Sequence, residues 1–131
     1  SAITTILRRS DNASPLAMEA ALHALAGLPA KRKIFVMGDM LELGKYTIEA
    51  HEKIGQMVAK SVDILIAVGA RAKFIAEEAN KRGMAKKNIL IFEMAKNAGQ
   101  ELQNILQTGD LVLVKGSRAI GLDGVVEEVR G

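Results

Sequence analysis

The sequence contains no cysteine and no tryptophan, and it has only three phenylalanines, one tyrosine and two prolines in 131 residues. The absence of cysteine excludes thiol catalysis and disulfide bonds, and it suits a reducing compartment. So few aromatic side chains leave little to stack on bases, and we do not expect nucleic acid as a partner. No apolar run approaches the length of a membrane-spanning helix and no secretory signal opens the chain, so we expect a cytoplasmic protein without a membrane partner.

The residues that are present suit one domain of helices packed on a sheet. Apolar residues make up 49% of the chain, and most of them are aliphatic. The formal charge of +3 is small and falls in four short basic clusters. Three of them lie in connections between elements, where we interpret them as solvated loop charge. The four clusters are Arg8-Arg9, Lys31-Arg32-Lys33, Lys81-Arg82 and Lys86-Lys87. The chain begins with Ser1, and we expect an excised piece of a longer protein.

Apolar runs and helical periodicity alternate along the whole chain. The runs predict strands at residues 3–7, 34–37, 63–68, 88–92 and 111–114. The periodic segments between them predict helices at 15–26, 48–60, 70–81, 95–106 and 122–129. This alternation predicts an α/β fold, a single Rossmann-like doubly wound domain with a mostly parallel five- or six-stranded sheet and helices on both faces.

Three of the predicted loops carry polar residues that core packing does not require. They follow the first, second and fifth strands and cover residues 8–14, 38–44 and 115–121. Because the carboxyl ends of parallel strands share one edge of a sheet, and ligands bind there in open α/β sheets, we expect these loops to form a site.

The loop after the fifth strand has the composition of an anion site. Gly116 allows close approach of the backbone, and the side chains of Lys115, Ser117 and Arg118 can all donate hydrogen bonds to a phosphate or carboxylate. The alternative is a tight turn with two solvated cations. The chain lacks both the P-loop pattern and the Gly-x-Gly-x-x-Gly pattern, so neither familiar nucleotide site is complete.

The loop after the second strand carries two carboxylates. Asp39 and Glu42 could bind Mg²⁺, orient a ribose or accept from an ammonium group, or they could simply be solvated or cap a turn. His23 and His51 lie in predicted helices without a second ligand residue four positions later. We therefore expect no metal site, and we interpret His51 as an exposed helix residue.

Five sequence features occur in a fixed order: Asn12-Ala-Ser-Pro15, Met18-Glu-Ala-Ala-Leu22, Gly38-Asp-Met-Leu-Glu-Leu-Gly44, His51 and Val114-Lys-Gly-Ser-Arg118. In order and spacing they resemble the C-terminal domain of the MurF-type Mur ligases. These are the bacterial UDP-N-acetylmuramoyl-tripeptide:D-alanyl-D-alanine ligases of peptidoglycan synthesis. The resemblance covers nearly the whole chain.

The resemblance implies one domain of a three-domain, ATP-dependent carbon–nitrogen ligase. The N-terminal domain would hold the UDP-sugar and the central domain would hold ATP and Mg²⁺ at a P-loop, and neither is present in this sequence. We therefore expect the fragment to have no cofactor and no ligase activity alone, and to contribute nucleotide closure and dipeptide binding in a bacterial cytoplasmic enzyme. The implied roles are nucleotide binding by Asn12 and substrate binding by Asp39, Glu42, Lys115, Ser117 and Arg118.

The first loop departs from the family pattern. Those ligases typically carry Asp-Asp-x-Tyr-Asn-Ala-Asn-Pro-x-Ser-Met, whereas this chain has Arg8 and Arg9 in place of both acids and Asp11 in place of the tyrosine. Two guanidiniums in place of two carboxylates remove the acceptors that a ribose would use. The second strand also departs, since Phe35 and Met37 replace smaller or aliphatic residues.

These departures support a second hypothesis, in which the scaffold has been diverged or engineered into a protein-binding module. Large apolar residues and arginine are what interfaces favour. The altered interface would comprise Arg8, Arg9, Asp11, Leu16, Ala17, Phe35 and Met37. Its partner would be another protein or a second copy, whereas under the first hypothesis the partners are the missing ligase domains.

Overall fold

The computed structural model describes residues 5–8, 15–38, 48–70 and 72–115. The strands are β1 (Thr5–Arg8), β2 (Arg32–Met37), β3 (Ile64–Val68), β4 (Ile89–Phe92) and β5 (Asp110–Lys115). The helices are α1 (Pro15–Ala26), α2 (Ile48–Ser61), α3 (Ala72–Lys81) and α4 (Ala95–Ile105), with a 3₁₀ turn at Lys86–Asn88. The predicted elements within these ranges are confirmed to within about two residues. The predicted helix at 122–129 lies outside the described residues.

All neighbouring strands in the sheet are parallel, and their order is β1-β5-β2-β3-β4. This confirms the predicted α/β class and gives five strands, one of the two predicted counts. β2 is the central strand, with β5 on one side and β3 on the other. Both faces of this centre must be covered, because an apolar strand in a parallel sheet has no solvated side.

Two apolar clusters cover the two faces of the sheet. The larger cluster packs α1, α2 and α3 against one face, through side chains such as Leu22, Ile54 and Ile75. The smaller one packs α4 on the opposite face, through Ala98 and Leu102. The predicted arrangement of helices on both faces is therefore confirmed.

Phe35 and Met37 are fully buried in the cluster beneath α1, α2 and α3. The prediction that they belong to an exposed interface is wrong. β2 is covered on both faces, so its alternate side chains enter the two clusters and none of its apolar residues reaches solvent. Their size is a feature of the core.

The amino edge of the sheet is held by paired charges. Arg32 lies opposite Asp110 in the strand register and forms an ion pair with it at 2.7 Å. The main-chain N–H of Lys33 donates to the Asp63 carboxylate at 2.7 Å, and the Lys33 ammonium donates to the carbonyl of Ala26 at the end of α1 at 3.1 Å. Arg32 and Lys33 therefore lie in a strand and make structural contacts, and our interpretation of them as solvated loop charge is wrong.

Glycine allows α2 and α3 to pack closely. A Cβ added to Gly55 of α2 would lie 2.4 Å from the Cβ of Glu78 in α3, which is far inside van der Waals contact. α3 ends at Lys81 and is followed by Gly83, whose φ of 109° is the left-handed conformation that glycine favours after a helix. No helix of the described ranges is long and apolar enough to cross a membrane.

Candidate functional site

The chain reverses its direction of winding between β2 and β5. From β2 it proceeds outward to β3 and β4, and it then returns to place β5 on the other side of β2. In open α/β sheets, such a switch point opens a crevice at the carboxyl ends of the two strands, and ligands bind in that crevice. Of all the loops at this edge, the strand order therefore indicates those after β2 and β5 as the place where a ligand would bind.

The ends of β2 and β5 are joined directly. Met37 and Lys115 are register partners, and the N–H of Gly38 donates to the carbonyl of Lys115 at 2.9 Å. On the other side of β5, Arg8 at the end of β1 lies opposite Val114. The strands that lead into the three predicted loops are thus neighbours in the sheet. The prediction that these loops start from one edge is confirmed at the level of the strand ends.

Most of the predicted site residues lie in the loops themselves. Their positions are outside the residues that the structure describes, so their roles stay predictions. These residues are Arg9, Asp11, Asn12, Asp39, Glu42, Ser117 and Arg118. The structure places the backbone of Arg8 at the end of β1.

Lys115 is the predicted site residue that the structure places most fully. It is the last residue of β5 and only 4% exposed, next to the switch point. Strand alternation puts its side chain on the same face as Leu113, beneath α1 and α2. The alternative in which Lys115 is a solvated turn cation is wrong. A lysine held at a buried strand end is costly unless it is paired. The role of Lys115 in substrate binding stays a prediction.

Leu16 and Ala17 lie in the first turn of α1, at the same edge of the sheet. Leu16 is 77% exposed, whereas its neighbours Pro15 and Met18 are buried. Of the proposed interface, Leu16 is therefore at the surface while Phe35 and Met37 are in the core.

His51 lies in the first turn of α2, also toward the carboxyl edge. It is partly buried, and its ring lies 5.9 Å from that of Phe74 in α3, with the ring planes tilted by 60°. This edge-to-face type of packing is favourable, and it explains why His51 is less exposed than we predicted. Within the described ranges, no group of three or more acidic or histidine side chains converges to hold a metal ion.

The family described as "Mur ligase, glutamate ligase domain" matches residues 3–118 of this chain. The chain belongs to this family. The match confirms the resemblance that the motifs indicate, and it covers every strand of the sheet.

The curated relatives of this Mur ligase domain are longer proteins that are named as ligases. The chain is 36% identical over 126 residues to the UDP-N-acetylmuramoyl-tripeptide–D-alanyl-D-alanine ligase of Treponema pallidum, covering 91% of this chain and 26% of the relative. It is 32% identical over 127 residues to the Bacillus subtilis enzyme of the same name, covering 95% of this chain and 28% of the relative. The chain thus spans about a quarter of the length of the relatives that it matches.

Solved structures of similar proteins agree with the fold of this Mur ligase domain. The MurF ligase of Thermotoga maritima, in complex with ADP, superposes with a TM-score of 0.70 at 28% identity, over 96% of this chain and 30% of that chain. MurF from Acinetobacter baumannii superposes with a TM-score of 0.74 at 27% identity, over 95% of this chain and 28% of that chain.

Reasoning from the sequence missed two features of this site. The adjacency of β1, β5 and β2 has no signal in one sequence, because it depends on how distant strands pair. The burial of Lys115 did have a signal. It directly follows the apolar run from Leu111 to Val114, in a strand that a parallel sheet must cover on both faces.

Proposed function

We propose that this chain is the C-terminal domain of a bacterial cytoplasmic ligase that adds D-alanyl-D-alanine to UDP-N-acetylmuramoyl-tripeptide. The observation that carries the proposal is the switch point between β2 and β5, from which the loops with the family motifs begin. The names of the relatives supply the reaction. Because the chain spans about a quarter of their length, the domain would act together with the domains that hold the tripeptide substrate and the P-loop.

In this proposal, the domain binds and orients the substrates. Lys115, Ser117 and Arg118 would donate to the dipeptide carboxylate or to a phosphate, since charge-assisted hydrogen bonds hold such groups best. Asp39 and Glu42 would accept from the dipeptide ammonium group and hold its amine toward the acyl phosphate. Asn12 would contact the adenine. Holding two reactants in the attacking geometry accounts for much of the catalysis of such reactions.

ATP and Mg²⁺ would be held by the P-loop domain. When bound, they supply the phosphoryl group that activates the tripeptide carboxylate.

A domain exchange tests the proposal. The segment of the Treponema pallidum ligase that matches this chain would be replaced by residues 1–131, and ADP release and the joined product would be measured together. We expect ligation that requires D-Ala-D-Ala. A folded hybrid that binds ATP and releases no product would contradict the proposal.

Variants of the hybrid separate the site from the scaffold. Lys115→Met, Ser117→Ala and Arg118→Ala should each raise the KM for D-Ala-D-Ala or lower kcat, by roughly tenfold or more. Lys60→Met, at the exposed far end of α2, is the matched control and should leave both constants unchanged. If all four variants, including the control, lost the same activity while their unfolding curves stayed unchanged, the assignment of Lys115, Ser117 and Arg118 to the site would be contradicted.

The exposed Leu16 supports a second function, in which this edge binds another protein. Large apolar side chains and arginine are enriched at protein interfaces, and Leu16 is 77% exposed at this edge. The reduced interface would comprise Arg8, Arg9, Asp11, Leu16 and Ala17. Its test is binding to the remaining domains of the hybrid ligase, supplied as a separate chain. Leu16→Asp should weaken this binding at least tenfold, and unchanged binding would contradict it.

A further inference from the structure

β4 is an edge strand without the usual protection of an edge. Within the described ranges it pairs only with β3. Edge strands present main-chain N–H and C=O groups that can pair with another chain, and proteins commonly block them with a charged residue, a proline or a bulge. The β4 sequence Ile-Leu-Ile-Phe contains no charge and no proline. Ile91 is 47% exposed, and Met94 just beyond the strand is 64% exposed.

The main-chain groups of β4 that face outward can be assigned from one hydrogen bond. The N–H of Gly69 donates to the carbonyl of Phe92 at 2.9 Å, so the polar groups of Phe92 point toward β3. These groups alternate in direction along a strand, so those of Ile89 and Ile91 point away from the sheet. The N–H of Ile89 donates to the carbonyl of Lys86 in the 3₁₀ turn. The carbonyl of Ile89 and both polar groups of Ile91 are left on the outer side.

The residues that flank β4 carry opposite charges. Lys87 lies in the 3₁₀ turn two positions before the first residue of the strand, and Glu93 follows the strand directly. Both are exposed, and neither forms an ion pair within the part of the chain that the structure describes. If two copies of β4 lie antiparallel about Leu90, Ile89 of each copy is opposite Ile91 of the other, and the 3₁₀ turn that carries Lys87 in one copy lies beside Glu93 of the other. The edge is therefore complementary to itself in charge and in hydrogen bonding.

We propose that the β4 edge is a self-association surface, at which two copies of this chain join their sheets through antiparallel β4 strands. The N–H of Ile91 donates to the carbonyl of Ile89 in the other copy, twice by symmetry, and two Lys87–Glu93 pairs flank these bonds. The strand is short, so the dimer is weak and reversible. β4 lies at the opposite end of the sheet from β1, so the proposal does not depend on the proposed function.

Sedimentation equilibrium of the chain at concentrations from roughly 10 μM to 1 mM tests the proposal. The apparent mass should rise from 14.0 kDa toward twice that value. An unchanged monomer mass over the whole range would overturn it. Ile91→Lys places a charge in the edge and should abolish the rise. Leu28→Lys, at a residue 38% exposed in the connection between α1 and β2, is the control and should leave the rise unchanged.

A charge exchange tests the arrangement of the two strands. Lys87→Glu or Glu93→Lys alone places like charges opposite each other twice in each dimer, and each should weaken dimerisation by about tenfold. The double variant restores opposite charges and should recover most of the affinity. The extended strand Ile89–Phe92 lies between the two residues and holds them too far apart to pair within a chain. A double variant as weak as the single variants, with circular dichroism spectra unchanged, would overturn the antiparallel pairing.

Discussion

Arg32 and Asp110, the first residues of two neighbouring strands, are joined by two hydrogen bonds at the amino edge of the sheet. Nε of Arg32 donates to Oδ1 of Asp110 at 2.9 Å and Nη2 donates to Oδ2 at 2.7 Å. Arg32 also donates to the carbonyl of Ile105 at the end of α4, and Asp110 accepts from the N–H of Gln107. This pair therefore joins β2, β5 and the end of α4. Asp110 is only 2% exposed, so these partners take the place of water around its carboxylate.

Removal of Arg32 should destabilise the domain strongly. Arg32→Met leaves the buried Asp110 carboxylate without its cation, and we expect a loss of about 3 kcal/mol in the free energy of unfolding. Urea unfolding followed by circular dichroism measures this loss. Lys31→Met, an exposed neighbour, is the control and should change stability by less than about 0.5 kcal/mol. A double variant, Arg32→Met with Asp110→Leu, should lose less than the sum of the single changes.

The contribution of Arg32 to stability should not depend on pH over the ordinary range. The hydrogen bond to Asp110 raises the pKa of the Arg32 guanidinium, more than burial lowers it. A cation whose pKa is raised on folding contributes fully below its unfolded pKa, and the contribution is lost only as the pH rises through the folded value. The stability difference between the parent chain and Arg32→Met should stay constant from about pH 6 to about pH 10. A decrease within this range would contradict the assignment.

Gly55→Ala should separate α2 from α3. Its Cβ would meet the Cβ of Glu78 at 2.4 Å, and both atoms belong to helices that cannot yield without moving backbone. We expect a net loss of about 1–3 kcal/mol from overpacking, although alanine favours a helix by about 1 kcal/mol over glycine. Thermal unfolding measures the loss. Gly27→Ala, where the nearest atom would be 3.7 Å away, is the control and should be close to neutral.

The first loop should regain nucleotide affinity when the residues typical of MurF-type ligases are restored. Arg8→Asp, Arg9→Asp and Asp11→Tyr together return the acceptors that a ribose requires, and we expect a gain in ATP affinity on the order of tenfold. Calorimetric titration measures the gain. Lys31→Asp with Lys60→Asp makes the same change as the two arginine substitutions at distant exposed positions and should produce no gain. If the restored loop binds no better than this control, the loop is not a nucleotide site.

The order and type of the elements could be predicted because local signals agree with the fold. Met18, Leu22 and Leu25 have helical spacing and all face the core, and the apolar run of β3 is buried in a parallel sheet. The burial of Phe35 and Met37 was mispredicted for a physical reason. We interpreted large residues that differ from the family pattern as surface changes, but a central strand can also accommodate them by repacking beneath α1, α2 and α3.

Other features depend on contacts between distant residues, which no local pattern records. Arg32 and Asp110 are separated by 78 positions, and only the pairing of β2 with β5 brings them together. The same pairing creates the switch point beside Lys115. Nor does the sequence distinguish Gly55, which allows the close packing of two helices, from a glycine that merely weakens a helix.

The hydrogen bond between Gly38 and Lys115 has a consequence for how this domain can change. It joins the ends of the two strands through main-chain atoms, so a change of side chain beyond Gly38 or Lys115 does not itself remove the bond. The ion pair between Arg32 and Asp110 lies at the opposite edge of the sheet. The loops after β1, β2 and β5 can therefore be replaced by other segments to alter what the domain binds. The contacts at the amino edge of the sheet would continue to stabilise the fold.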